Sequence, residues 1–234
     1  MGRNLIVAAA VLSAALAAAE PSVAEEPAKL SVLMLGDDGH HRPADLAKII
    51  TPVLAKDGID VTYEQDVDAA LTPERLAKFD ALLIFRDHGD LPPKAEAALL
   101  DFVEGGKGLF ALHCASNCFR NSDRYTALVG GRFLRHETGV FRAKIIDAQH
   151  PAMRGLRSFE TWDETYVHDQ LGKDIRVLMV REEKGGYEPY TWVRDQGKGR
   201  VYYNSLGHEE AVWNDPRYQQ MLLRGIKWVM REGN

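Results

Sequence analysis

Short apolar runs, each closed by glycine or a polar loop, mark the strands of this chain. Leu30-Ser-Val-Leu-Met-Leu35 ends at Gly36-Asp-Asp-Gly39, Ile59 to Tyr63 comes next, Ala81-Leu-Leu-Ile-Phe85 is unbroken, and Gly108-Leu-Phe-Ala-Leu-His113 is the fourth. Continuous runs of this kind fit strands covered on both faces. Between them the period changes to that of a helix. A stripe of Leu46, Ile49, Ile50, Val53 and Leu54 starts after Pro43 and stops at Gly58. Thr72-Pro73 caps a short helix holding Arg75 to Lys78, and Pro92-Pro93 opens another, with Ala97, Leu100, Phe102 and Val103 before Gly105-Gly106. The order β-α-β-α-β-α-β predicts a parallel sheet with right-handed crossovers and helices on both faces.

Past residue 140 the pattern becomes that of hairpins. Phe141 to Asp147 partly alternates, and Ile175 to Val180, Pro189 to Val193 and Arg200 to Asn204 are further strand candidates, with turns at Gly185-Gly186 and Gly197-Lys-Gly199. Pro216 begins a last helix with Leu222, Leu223, Ile226, Trp228 and Val229 as its core stripe. The predicted fold is an α/β, flavodoxin-like three-layer sandwich with a mainly parallel sheet and added C-terminal strands. No Pro/Ser-rich linker interrupts residues 30–232, so residues 25–234 read as one domain.

The first 24 residues change this picture only at the start. Arg3, the apolar run Leu5 to Ala19 and small residues before Glu20 or Glu25 read as a signal peptide, cut after Ala19 or Ala24. The second site is preferred, because an acidic, Pro-containing stretch comes after it. The run is shorter than the ~18 residues of a membrane span, so the expectation is a periplasmic or secreted protein with no stable membrane insertion after cleavage. A net charge of −5 argues against a nucleic-acid footprint, which needs a basic face. Only two cysteines occur, Cys114 and Cys118; their spacing excludes a Cys-x-x-Cys redox pair and leaves a local bridge and two free thiols both open.

Ligands of open parallel sheets bind outside the carboxyl ends of the strands. The loops after the strands of this chain are rich in imidazole: His40 and His41 after the first, Arg86, Asp87 and His88 after the third, His113 and Cys114 after the fourth, and Gly207-His208-Glu209-Glu210 near the C-terminus. A second polar group lies in the middle: His136-Glu137, His150-Pro151, Asp163-Glu164, Tyr166 and His168. Glu164 and His168 are four apart, which on a helix would put them on one face as metal ligands or as an acid/base pair. The plain reading of Asp163-Glu164 is a surface acidic turn. Trp162, Trp192 and Trp213 are candidate sugar-stacking platforms. Gly36-Asp-Asp-Gly39 carries carboxylates where a phosphate would need bare N–H groups, so a nucleotide cofactor is not expected.

Several ordered segments resemble the trehalose-utilisation (ThuA-like) family of the class I glutamine-amidotransferase-like fold: Gly108 to His113, His150-Pro-Ala-Met-Arg-Gly-Leu156, Asp163-Glu-Thr-Tyr166, Gly199 to His208, Trp213-Asn-Asp-Pro216 and Arg224-Gly-Ile-Lys-Trp228. The resemblance spans about residues 30 to 230. It implies a link to disaccharide and glycoside catabolism, alongside dehydrogenases that make 3-keto sugars. In the related amidotransferases a nucleophilic Cys sits at the elbow after this strand, and a later His-x-Glu completes a triad. Here His113 takes the elbow position and Cys114 is next to it, while His208 and Glu210 keep the His-x-Glu spacing. Glutamine hydrolysis is therefore not expected, since imidazole there is a poor acyl nucleophile.

The resulting expectation is an enzyme acting on glycosides, disaccharides or their 3-keto derivatives, with His113, Glu164 and His208 as catalytic groups. His41, Arg86, Tyr166, Trp192 and Glu210 are expected to bind substrate. His136, Glu164 and His208 form the candidate metal set, suited to zinc or a similar divalent transition ion. The expected partner is a small carbohydrate, and homo-oligomerisation is left open. The rival reading is a non-catalytic carbohydrate-binding or accessory protein; a third is an amidase using Cys114.

Overall fold

A computed structural model of the chain describes residues 1–2, 29–183 and 186–232. The signal-peptide reading and the first residue of the expected Gly185-Gly186 turn fall outside the described residues. Among the described residues no helix is long and apolar enough to cross a membrane.

The first half alternates as its hydrophobic pattern dictates. Strand β1 (Leu30–Leu35), helix α1 (Pro43–Ala55), β2 (Ile59–Glu64), the single turns α2 (Val67–Ala70) and α3 (Pro73–Leu76), β3 (Ala81–Ile84), α4 (Pro93–Glu104) and β4 (Gly108–Leu112) succeed one another. Asp66 and Thr72 cap α2 and α3 by accepting backbone N–H bonds, and proline opens α1, α3 and α4. The second half adds α5 (Asp123–Val129), β5 (Arg132–Arg135), β6 (Thr138–Ile145), β7 (Phe159–Glu164), β8 (Val167–Asp169), β9 (Arg176–Glu183), β10 (Gly186–Gln196), β11 (Gly199–Asn204), α6 (Glu210–Trp213) and α7 (Pro216–Val229).

Nine strands form one sheet in the order β2-β1-β3-β4-β11-β10-β9-β6-β7, and β5 pairs with β8 in a separate ribbon. The first five are parallel, in the 2-1-3-4-5 order of a flavodoxin-like sheet. The remaining four pair antiparallel. The added antiparallel strands lie in the C-terminal half, as expected, but they precede the last parallel strand. They are inserted between β4 and β11, and the chain returns to the parallel core through β11. Pro189 sits within β10 beside a register shift between Pro189 and Thr191, where the ladder tolerates a missing donor.

Two apolar layers sandwich the parallel strands. Val32, Met34, Leu83, Phe110 and Tyr202 face the side of α1 and α7, with Leu46, Ile50, Leu222 and Ile226. Leu33, Leu35, Leu82, Leu109 and Tyr203 face the side of α4 and α5, with Leu99, Val103 and Leu128. Successive residues of one strand thus serve opposite layers, which is why the runs lack alternation. Helix α7 packs tightly on the sheet at Gly225, where an added Cβ would overlap the edge of the Phe110 ring and lie 3.0 Å from Tyr202. Those two rings stack at 4.6 Å between centroids. Gly225→Ala is therefore expected to cost about 1–3 kcal/mol by overpacking, even though alanine favours helix. A lower urea midpoint at unchanged slope is the check.

Candidate active site

The carboxyl ends of the parallel strands collect the ionisable groups. At the end of β4 the chain turns sharply through His113, whose φ of 47° lies in the left-handed region. A non-glycine residue there carries about 1–3 kcal/mol of strain. The strained turn throws the imidazole into the rim, at the elbow position the sequence assigns to it. Cys114, one residue on, is instead fully buried, and burial pushes its thiol well above the ordinary cysteine range. Cys118 is also buried and pushed up to about 12, and both cysteines are free. A neutral thiol enclosed in the core has no route to an acyl carbon, so the geometry leaves nothing for the amidase reading.

His113 meets three partners from distant parts of the chain. His41, from the loop after β1, His208, from the loop after β11, and Glu164, at the end of β7, place one ligand-type atom each within 4.8 Å of all the others. His113 Nε2 is 3.3 Å from Glu164 Oε2, and His208 Nδ1 is 3.1 Å from Glu164 Oε1. His136, on the β5–β6 connection, stands at 3.5 Å from the same Oε1 with its side chain 38 % exposed. Glu164 is only 7 % exposed. Burial alone would raise its carboxyl, but the imidazoles of His113, His208 and His136 outweigh it and hold Glu164 below the usual carboxylate range. Burial and the neighbouring imidazoles drive His41 down to about 2, and burial also lowers His208. At neutral pH these two rings are uncharged.

The loop bearing His208 is fixed from beneath. Buried Asp163, next to Glu164 on β7, accepts the backbone N–H groups of Gly207 at 2.8 Å, His208 at 3.1 Å and Glu209 at 3.2 Å. Gly207 carries φ 130°, and an added Cβ would meet the Tyr218 hydroxyl at 2.9 Å. Its carbonyl accepts the Trp213 indole N–H at 2.7 Å. Glycine is required there by conformation and by space. Asp163 is therefore an anchor in the core, not part of a surface acidic turn. Asp37 plays the matching role after β1, buried and accepting the N–H groups of Gly39 at 2.9 Å and Asp87 at 2.6 Å. Neither anchoring role was readable from residue type: Asp37 adjoins Gly36, but Asp163 meets its glycine, Gly207, only across 44 residues of chain.

Several predicted roles come out differently. Glu164 and His168 lie on two strands, not one helix face. The His168 ring is buried, meets the Tyr203 hydroxyl at 3.0 Å and stays out of the cluster. Trp192 cannot stack on a substrate: it is fully buried, lies against Tyr203 and donates its indole N–H to Val129 O. Trp213 is equally enclosed, edge-on to Phe85. Tyr166 is buried and stacks on His113 at 4.2 Å, a buttress beneath the site. Arg86 spends its guanidinium on the carbonyls of Gly36, Gln65 and His88, tying three loops together. Glu210 pairs with Arg42 at 3.1 Å, so the carboxylate beside His208 is Glu164 and not the one two residues on.

His150 is also outside the site, packed at 5.0 Å from Trp228, with Nδ1 accepting the Ala152 N–H. Burial, then the Arg176 charge, lower it to about 4. The unfolded chain takes up this proton first, near pH 6.5. Stability is therefore whole above that pH and falls as pH drops toward 4, by at most about 1.4 kcal/mol per pH unit. His150→Gln is expected to flatten this part of the acid limb in urea titrations from pH 7 to 4; an unchanged limb would contradict it.

The family described as trehalose utilisation (ThuA) matches residues 31–229. No curated protein matches the chain in sequence. Among solved structures, a putative ThuA-like protein from Bacteroides uniformis is 16 % identical with a TM-score of 0.75, over 90 % of this chain and 95 % of its own. One from Parabacteroides merdae is 17 % identical with a TM-score of 0.73, over 86 % and 90 %. A β-galactosidase from Bacillus circulans sp. alkalophilus shares the fold at 10 % identity and a TM-score of 0.59, over 87 % of this chain and 31 % of that one.

Proposed function

The chain belongs to the ThuA, or trehalose-utilisation, family, and we propose that it is a sugar-catabolic enzyme of the periplasm acting on glycosides, disaccharides or their 3-keto derivatives. One observation carries the reading: three imidazoles and an ionised carboxylate from four separate segments converge at the carboxyl ends of the sheet. A packing core has no use for such a group, since each buried polar atom left without a partner costs about 1–3 kcal/mol. A chemical site does. The carbonyl of a 3-keto sugar acidifies the neighbouring C–H. A base that takes this proton leaves an enolate, which can expel a β-substituent or be reprotonated. Glu164 and the uncharged His208 are the bases at hand, with His113 placed to orient or polarise the substrate.

The test is a depletion assay with the purified protein on a disaccharide, a simple glycoside and the 3-keto form of each, products being read by mass spectrometry. Turnover of the keto substrate, reduced at least about 100-fold in His208→Ala, is the expected result. Saturable sugar binding without product would overturn it in favour of a non-catalytic binding protein.

Trp162 adds a substrate contact. Its ring is 55 % exposed on β7, two residues before Glu164 and so on the same strand face. Trp162→Ala is expected to raise KM for a disaccharide about 5–10-fold, the loss of roughly 1 kcal/mol of stacking, with kcat little changed. Equal KM values would remove Trp162 from the site.

A further inference from the structure

We propose that His41, His113, Glu164 and His208 hold a single divalent transition-metal ion. The proposal rests on the catalytic reading of this site and concerns what binds the substrate oxygen there.

Several atoms of the cluster lack partners. Neither ring nitrogen of buried His41 has a hydrogen-bond partner, nor has His113 Nε2 or His208 Nδ1. All of these lie in one cluster. Buried ring nitrogens without a partner on three neighbouring imidazoles are costly unless something accepts their lone pairs.

Tautomer geometry points the same way. His113 Nδ1 lies 2.7 Å from the carbonyl oxygen of Ser205, which can only accept. Nδ1 therefore carries the proton, and in the neutral ring Nε2 presents a lone pair toward the Glu164 carboxylate. Two lone pairs facing each other at 3.3 Å need a cation between them or a second proton on the ring. Donation of the far ring N–H to a backbone carbonyl is also the usual outer support of a metal-bound histidine.

Spacing and donor type fit as well. Bonds of about 2.0–2.1 Å in a tetrahedron put ligand atoms about 3.3 Å apart. The His113–Glu164 and His208–Glu164 separations are 3.3 Å and 3.1 Å. Three imidazoles and one carboxylate suit zinc, cobalt, iron or manganese better than calcium or magnesium. This set differs from the trio expected from sequence. His136 drops out of the ligand group and His41 and His113 enter it. Partly exposed His136, 3.5 Å from Glu164 Oε1, is left outside the ligand group, where it can contact a substrate bound at the centre.

The test uses the full chain without a polyhistidine tag, stripped with a chelator and reloaded separately with Zn2+, Co2+, Mn2+ or Fe2+. Elemental analysis should give near one ion per chain for at least one metal, with a raised melting temperature and, for Co2+, a visible ligand-field band. His41→Gln and His208→Gln should weaken binding by more than the about 10–100-fold that loss of an outer partner costs, whereas His136→Gln should keep the ion. Circular dichroism on each variant separates lost binding from lost folding. No ion retained by the wild-type protein from any of the four metals would overturn the proposal, as would retention in His41→Gln with loss in His136→Gln. The two readings fail separately: metal-free protein that consumes keto glycosides refutes only the centre, and metal-loaded protein that consumes none refutes only the enzyme.

Discussion

Glu164→Gln is expected to lower turnover by about 10³-fold or more while the protein stays folded. The change keeps side-chain volume and removes the negative charge on which His113, His208 and His136 converge. As a general base Glu164 would contribute about 10²–10⁴-fold. As the one anionic ligand of an ion, its loss would weaken the centre itself. The fold is little affected, because the contact that ties this position to the core is the backbone carbonyl, which accepts the Tyr190 hydroxyl. The measurement is kcat on the best substrate beside a thermal midpoint. Unchanged turnover would remove Glu164 from the chemistry in either role.

The second large effect lies one residue earlier. Asp163→Ala is expected to cost about 3–5 kcal/mol of stability, and to disable the site in whatever fraction still folds. Asp163 is wholly buried and holds three consecutive N–H groups of the His208 loop. Removing the carboxylate strands the buried Gly207 donor and the partly buried donors of His208 and Glu209, each worth up to about 1–3 kcal/mol when unpaired. Asp163→Asn keeps one accepting oxygen but turns an amide N–H₂ toward the remaining donors, so it should lose less, about 1–3 kcal/mol. Urea midpoints should rank wild type, Asn, Ala. Near-equal midpoints would show that the loop is held by something else, the Trp213 indole on Gly207 being the first candidate.

The parallel half of the fold was legible because its strands are buried on both faces and its helices begin at proline. Composition alone separates those two environments. β5, β7 and β8 were not legible. Phe159-Glu-Thr-Trp-Asp-Glu164 carries two carboxylates in succession and an exposed tryptophan, so it reads as loop until its pairing with β6 is known. The return of the chain through β11 to pair with β4, after the antiparallel strands that extend the sheet's edge, was equally hidden, because register across long connections leaves no local mark. At the site, the positions after strands were readable: His41, His113 and His208 each come after one. Glu164 was ambiguous, since its neighbour looked like a surface acid. Trp192 misled because aromatic rings serve cores and ligands alike, and only burial tells them apart.

Strand β11 slots between β4 and β10, pairing Leu112 with Asn204 across roughly ninety residues of chain. Among the strand pairings this one closes the longest stretch of chain, so its loop-closure cost places it late in the folding reaction. His113 and His208 lie just beyond that seam, one at each strand end. The site therefore does not exist in any partly folded species that lacks β11. A ligand of the site binds only the completed protein and shifts the folding equilibrium by its own mass action. Binding and refolding followed together should gain signal in the same, final kinetic phase.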